Sequence, residues 1–335
     1  MTLEDFRVLT RPLIEEELKK NLQIDQEGFY KGLRDAMAYH LGWEGEDAGE
    51  KAQGKRIRPL LVLLGTKAAG KDWKDALPAA AAVELIHNFS LIHDDIEDRS
   101  EFRHGRKTVW AIHGEAQAIN TGDCMFSLAF SALCRSTGRA TDVLRALDLL
   151  QSTCVRLTKG QYLDMAFEAA ESLPVDAYWP MVGGKTASLL SCSAAIGATI
   201  TGADQQIVKA LEDFGWNLGL AFQAQDDWLG IWGDSTLTGK SAESDLVTGK
   251  KSLPILYGLN QSSEFRRRWN KRPFSNEDIT ELASILSHDG VKDWVEHETA
   301  RLTNMAKESL ELLPEKNEGY SALQSLADLL LKRNK

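Results

Sequence analysis

Two aspartate-rich segments about 130 positions apart, each set in an apolar, helix-like stretch, restrict this chain more than any other feature. The first is Asp94-Asp95-Ile96-Glu97-Asp98, preceded by Leu85, Ile86, Leu91 and Ile92. The second is Asp226-Asp227-Trp228-Leu229-Gly230, with Phe222 and Ile231 around it and Asp234 just beyond. Carboxylates are rarely buried without a counter-charge. On a helix, positions i and i+4 share a face, so Asp94 and Asp98 point the same way. A hard divalent cation with oxygen ligands supplies the counter-charge. Two such faces aimed at each other would hold a magnesium cluster able to grip a diphosphate. A lone DDxxD on a helix is ordinarily a solvated face, but two copies in apolar settings count against that reading.

Convergence of the two faces favours one all-α domain over two. Nearly every segment has helical periodicity, such as the stripes Leu9, Leu13, Ile14, Leu18 and Val143, Leu144, Leu147, Leu149, Leu150. β-signals are scarce, with no sustained alternation and no Asn-Gly hairpin. Ser275 through Asp278 reads as a helix start and Asp289-Gly290 as a stop. An apolar content of 43% supports a sizeable core. A net charge of −10 argues against nucleic acid as a partner. Cys124, Cys134, Cys154 and Cys192 lack zinc-ligand spacing and read as reduced core thiols. With no signal-peptide core and no long apolar run, a cytoplasmic protein without a membrane span is expected.

Cations flank the acidic segments. Gly54-Lys55-Arg56-Ile57-Arg58-Pro59 places three just before an apolar helix, where free backbone N–H groups also favour a phosphate. Arg103, Arg106 and Lys107 follow the first acidic motif, positioned to grip the same diphosphate. Gln161 and Asp164 share a helical face, and Lys185-Thr186 follows two glycines as a helix start or as a cation near a leaving group. Gln223 precedes the second motif, and the polar stretch Gly233 to Lys251 carries Lys240, Asp245, Lys250 and Lys251 as a candidate lid.

Taken together, GKRIRP, ELIHNFSLIHDDIED, GQYLD, GGKTASL, FQAQDD and GKSAESDLVTGKKSLP resemble the polyprenyl synthetase family, the trans-isoprenyl diphosphate synthases. The matching stretches run from Gly54 to about Pro254 within one domain spanning 1–335. The resemblance implies an all-α, single-domain helical bundle of the isoprenoid synthase type with a central active-site cavity, working as a homodimer. It implies three Mg2+ ions, with Asp94, Asp95, Asp98, Asp164, Asp226 and Asp227 as the metal-site carboxylates and Gln161 in support. Arg103, Lys185 and Lys250 would hold an allylic diphosphate, and Lys55, Arg58 and His87 the isopentenyl diphosphate. Thr186 and Gln223 would line the reacting carbons, with Lys240 also in the catalytic set.

The chain departs from the family pattern twice. Gly230 stands where a third aspartate is usual, and Asp234 is a candidate to return to that face. His104 stands where a second arginine is usual on isopentenyl diphosphate, and it makes no bidentate phosphate contact. Arg106, slightly further on, is the candidate to compensate. Product length is set beneath the first acidic motif. Phe89 lies five residues before Asp94, about 7–8 Å down the helix. There its ring would plug the product channel, while small Ser90 beside it leaves room. Geranylgeranyl diphosphate is the leading product and farnesyl diphosphate the next. The alternatives are a class I terpene cyclase on the same scaffold, opposed by Lys55 and Arg58, and a non-catalytic subunit of a heteromeric synthase, opposed by the intact aspartates.

Overall fold

The computed structural model describes residues 1–23, 28–233, 244–271 and 273–331. Helices α1 Leu3–Asn21, α2 Lys31–His40, α3 Glu50–Gln53, α4 Ile57–Ala68, α5 Leu77–Glu97, α6 Val109–His113, α7 Glu115–Cys134, α8 Ala140–Ala169, α9 Tyr178–Val182, α10 Ser188–Ile200 and α11 Gln205–Trp232 follow in order. Further helices cover Ser244–Thr248, Leu253–Gln261, Ser263–Trp269, Asn276–His288, Val291–Glu311 and Glu318–Leu331. The all-α expectation holds. Among the described residues the only strands are β1 Phe102–Arg103 and β2 Arg106–Lys107, paired antiparallel with Arg103 opposite Arg106. His104 and Gly105 close this hairpin with φ of 51° and 80°. Two successive positive φ values are the mark of a tight I′ turn, in which His-Gly here does the work of Asn-Gly. Sequence reading passed over this turn.

The capping signals act where they were read. The Ser275 hydroxyl accepts from the Asp278 N–H at 3.2 Å, and the Asp278 carboxylate accepts in return from the Ser275 N–H at 2.9 Å. Asp289 and Gly290, the latter at φ 75°, end that helix.

The chain gathers into two compact units. The first comprises Met1–Ser152, Cys192–Lys209 and Leu313–Leu323. Its core is built on α4 and α5, whose Leu60 to Leu64 and Ala79 to Val83 are all buried. A Cβ on Gly65 would come within 2.0 Å of the Ala194 carbonyl oxygen, and one on Gly197 within 2.7 Å of the Val62 carbonyl oxygen. α4 and α10 therefore meet backbone to backbone, which only glycine permits. On α1 the inward positions are Phe6, Thr10, Ile14 and Leu18. The stripe is rotated from the expected one, leaving Leu9 45% exposed. Leu144 of the second expected stripe is likewise 65% exposed.

The second unit comprises Thr153–Ser191, Ala210–Leu312 and Gln324–Lys335. Tyr178, Ala221, Leu253, Ile255, Phe265, Leu286 and Val295 belong to its apolar cluster. Between α9 and α10 the helix widens into a π-turn, Gly183–Ala187. A Cβ on Gly160 of α8 would lie 2.1 Å from the Lys185 nitrogen, and one on Gly219 of α11 would lie 2.5 Å from Ala187 Cα. Two helices thus press on one π-turn through glycine. Lys185 and Thr186 do not begin a helix, because the helix runs through them.

Among the described residues no helix is long and apolar enough to cross a membrane. Cys154 and Cys192 are buried as expected, but Cys134 is exposed.

The α4–α10 contact yields a stability prediction. Gly65→Ala forces backbones apart and is expected to cost about 1–3 kcal/mol, read as a lower urea midpoint at unchanged slope.

Candidate active site

In the first unit, the three cations of the basic segment part company. Arg56 adopts φ 48° at the head of α4, a left-handed conformation unfavourable for any residue bearing a Cβ. Its guanidinium turns inward, donating to Glu15 at 2.8 Å, to Glu84 at 2.8 Å and to the Leu41 carbonyl at 3.0 Å. Arg56 is 6% exposed, and a guanidinium that deep requires these partners. Lys55 stays exposed. Arg58 lies against His87, with 3.2 Å between Nη1 and Nε2, and its buried Nε has no hydrogen-bond partner among the described residues. Burial depresses the Arg58 pKa below the ordinary guanidinium range. Burial, together with Arg58 and Arg103, pushes His87 well below the usual imidazole range.

His40, at the end of α2, joins this group and was missed by sequence reading. Its Nε2 is buried without a hydrogen-bond partner among the described residues, and burial with Arg103, Arg56 and Arg106 nearby lowers its pKa to about 3. Desolvated cations among neutral imidazoles form a place where an anion gains most. Only a spatial fold brings His40 beside Asn88 and His87, so no local motif could have flagged it.

The first acidic motif is also divided. Asp95 is buried, and Arg103 donates to its Oδ1 from Nε at 2.9 Å, with Nη2 at 2.8 Å. Burial raises the Asp95 pKa despite that partner. Asp94 is half-buried and Asp98 exposed. Asp95 thus orients Arg103, and Asp94 and Asp98 are the outward pair. Arg106 does not take up the role left by His104. Its three nitrogens donate to the carbonyls of Glu46 at 3.0 Å, Tyr39 at 2.9 Å and Glu44 at 2.7 Å, and it stacks over the Tyr39 ring. His104 itself is exposed at the hairpin tip.

Below Asp94, Phe89 meets Phe126 of α7 edge to face at 5.1 Å, and Phe126 meets Phe130 at 5.1 Å. Phe89 is therefore the top of a ladder of phenyl rings, with the His93 ring edge to face above it at 5.3 Å. Ser90 turns its hydroxyl back to the His87 carbonyl at 2.8 Å.

In the second unit, Asp227 is buried with both oxygens engaged. Gln223 donates to Oδ1 at 2.9 Å, while the Tyr178 hydroxyl at 2.7 Å and the Leu253 N–H at 2.9 Å donate to Oδ2. Burial pushes its pKa up to about 6, with Lys250 opposing. In this arrangement Asp227 caps the helix Leu253–Gln261 and anchors Gln223. Asp226 remains half-buried as the carboxylate available to a cation. Gln223 also accepts from Thr186 at 3.0 Å, so the two residues expected at the reacting carbons are joined. Lys185 pairs with Asp164 at 2.5 Å, and Gln161 lies one turn before Asp164 on α8.

The adjacent lysines also divide. Lys251 donates to the Phe167 and Glu168 carbonyls at 2.7 and 2.9 Å, closing the end of α8. Lys250 is resisted by burial but held above the usual lysine range by Asp227, Asp164, Asp245 and Asp226. Lys240 and Asp234, with most of the candidate lid, lie outside the described residues.

Among the described residues no three carboxylate, imidazole or thiolate groups are gathered closely enough to hold a metal ion by themselves. The donor chemistry nonetheless fits Mg2+. Asp94, Asp98 and Asp226 offer only hard oxygens, and this ion keeps waters and takes one or two carboxylates plus substrate phosphates.

An all-helical chain with aspartate-bearing helices, desolvated arginines and lysines held among carboxylates defines a class of enzyme that handles diphosphates. The family model for polyprenyl synthetase matches residues 47–286. A (2E,6E)-farnesyl diphosphate synthase of Mycobacterium tuberculosis is 37% identical over 314 residues, covering 90% of this chain and 86% of that protein. A geranylgeranyl pyrophosphate synthase of Geoglobus acetivorans is 35% identical, covering 99% and 98%. The crystal structure of geranylgeranyl pyrophosphate synthetase from Pyrococcus horikoshii superposes with a TM-score of 0.90 at 31% identity, covering 99% of each chain. The chain belongs to the polyprenyl synthetase family and is a trans-prenyltransferase.

The buried imidazole of His40 carries a pH prediction. Its folded-state pKa of about 3 lies below the unfolded value of 6.5, so the unfolded chain binds the extra proton between those limits. Stability should fall as pH drops below about 6.5, with His40 contributing up to about 1.4 kcal/mol per unit. His40→Phe is expected to flatten that slope in denaturant titrations between pH 6.5 and 4.5. An unchanged slope would reject the assignment.

Proposed function

We propose that the enzyme condenses isopentenyl diphosphate with an allylic diphosphate, forming a short-chain all-trans prenyl diphosphate of about 20 carbons, with 15 the next choice. The observation that carries this reading is Arg58 against His87, half-buried with no carboxylate in hydrogen-bond contact among the described residues. Such a pair suits an anion held without metal, a second diphosphate site that a cyclase does not need. The acidic helices serve the other diphosphate, with three Mg2+ ions expected.

When bound, Mg2+ would supply positive charge to the departing pyrophosphate and so lower the barrier to ionisation. Asp94, Asp98 and Asp226 would hold it. Lys185 and Lys250 add fixed positive charge for the same pyrophosphate, and Asp164 orients Lys185. The allylic C–O bond breaks with its electrons on oxygen. The isopentenyl double bond then attacks the cationic carbon to form the new C–C bond. Loss of a proton to the released pyrophosphate restores a double bond, so no dedicated side-chain base is needed. Thr186 and Gln223, fixed by Asp227, present a rigid polar edge to that carbon. Lys55, Arg58 and His87 anchor the isopentenyl diphosphate.

A product assay with Mg2+, labelled isopentenyl diphosphate and dimethylallyl, geranyl, farnesyl or geranylgeranyl diphosphate tests the proposal. Elongated alcohols after dephosphorylation are expected, whereas hydrocarbon from an allylic substrate alone would move the chain to the cyclases. Asp94→Ala and Asp226→Ala should each cut turnover at least about a hundredfold. Near-wild-type rates in both would reject the metal assignment. Phe89→Ala, which removes the top ring of the phenyl ladder, should shift the product to longer chains. An unchanged product would remove Phe89 from the channel floor.

A further inference from the structure

On α5, the outward carboxylates Asp94 and Asp98 stand one helical turn apart. On α11, Asp226 has no such companion, because the residue one turn on is Gly230. The space over Gly230 is filled all the same. A Cβ built there would lie 2.6 Å from Asp245 Oδ2, 2.7 Å from its Cγ and 2.9 Å from its Oδ1. All three atoms of one carboxylate thus crowd the position where a side chain at 230 would begin. Positions 226 and 230 share a face of α11, so Asp245 places its carboxylate on the face that carries Asp226. It is brought there from outside α11 by the short helix Ser244–Thr248. The backbone of that helix returns to hold the segment, with the Gly249 and Lys250 N–H groups donating to the Asp245 carbonyl at 2.9 and 3.1 Å. Lys250 is thereby tied to the same turn.

From this interpenetration we infer that Asp245 is the second carboxylate of the Asp226 face, supplied from the following segment in place of a residue at position 230. It acts with Asp226 in holding the cation that carries the allylic diphosphate. Gly230 is therefore an accommodation rather than a loss. A side chain there would displace the carboxylate of Asp245 from its present position. The inference rests on the reading of the second unit as part of a magnesium–diphosphate site, and it names a residue that this reading does not require.

The test measures binding of inorganic pyrophosphate in the presence of Mg2+ by titration calorimetry, so it does not depend on turnover. Asp245→Asn keeps the shape and removes the charge. It should weaken binding at least about tenfold while the melting temperature without ligand stays close to wild type. Gly230→Asp alone should also weaken binding, because two carboxylates contend for one space. The exchange Gly230→Asp with Asp245→Ala moves the carboxylate onto α11 and should recover binding to within about threefold of wild type. Wild-type affinity in Asp245→Asn, or an exchange variant no better than Gly230→Asp, overturns the inference while leaving the diphosphate site standing. Absence of Mg2+-dependent pyrophosphate binding in the wild type itself overturns both.

Discussion

A charge removed from water must meet its opposite or a full set of hydrogen bonds, and that constraint organises this molecule. In the first unit it acts at Arg56, which is buried between Glu15 and Glu84 and draws α1, the head of α4 and α5 together. In the second it acts at Asp227, which collects a tyrosine hydroxyl, a glutamine amide and a helix-terminal N–H. Each polar cluster holds its backbone in one arrangement, including the left-handed Arg56. Removing either centre would strand several buried partners at once.

The same constraint divides labour within each motif. Arg56 is scaffold, whereas Lys55 stays exposed and Arg58, among the described residues, hydrogen-bonds only with His87. Asp95 holds Arg103, whereas Asp94 and Asp98 face outward. Asp227 is internal and Asp226 is not. Lys251 closes a helix, whereas Lys250 sits among carboxylates. Residues one or two apart point in different directions, so a charged run on a helix or turn splits between interior and site. Linear composition marks such a run but does not say which member turns in.

This explains what was legible. The helices were, because apolar spacing and Ser275-type caps are local signals, and so were the acidic helices and the lysines near them. The inward turn of Asp227 was not, because it depends on Tyr178 and Leu253, far away in sequence. Nor was the capture of Arg106 by the carbonyls of Tyr39, Glu44 and Glu46, which left its expected compensation for His104 unmet. His40, Phe126 and Phe130 enter through packing alone. The His104-Gly105 hairpin was readable in principle, since a residue tolerant of positive φ followed by glycine is a turn signal, but surrounding helical patterns masked it.

The π-turn at Gly183–Ala187 has a wider consequence. A turn with one residue more than the α-helix allows works as a phase shifter. It rotates everything on one side of it by roughly a quarter-turn or more relative to the other. The lattice of α10 can thus keep its register with its neighbours while Lys185 and Thr186 are aimed independently of it. Drift in the packing of the long helix and drift in the aim of its functional pair are mechanically uncoupled, so homologues can revise one without retuning the other.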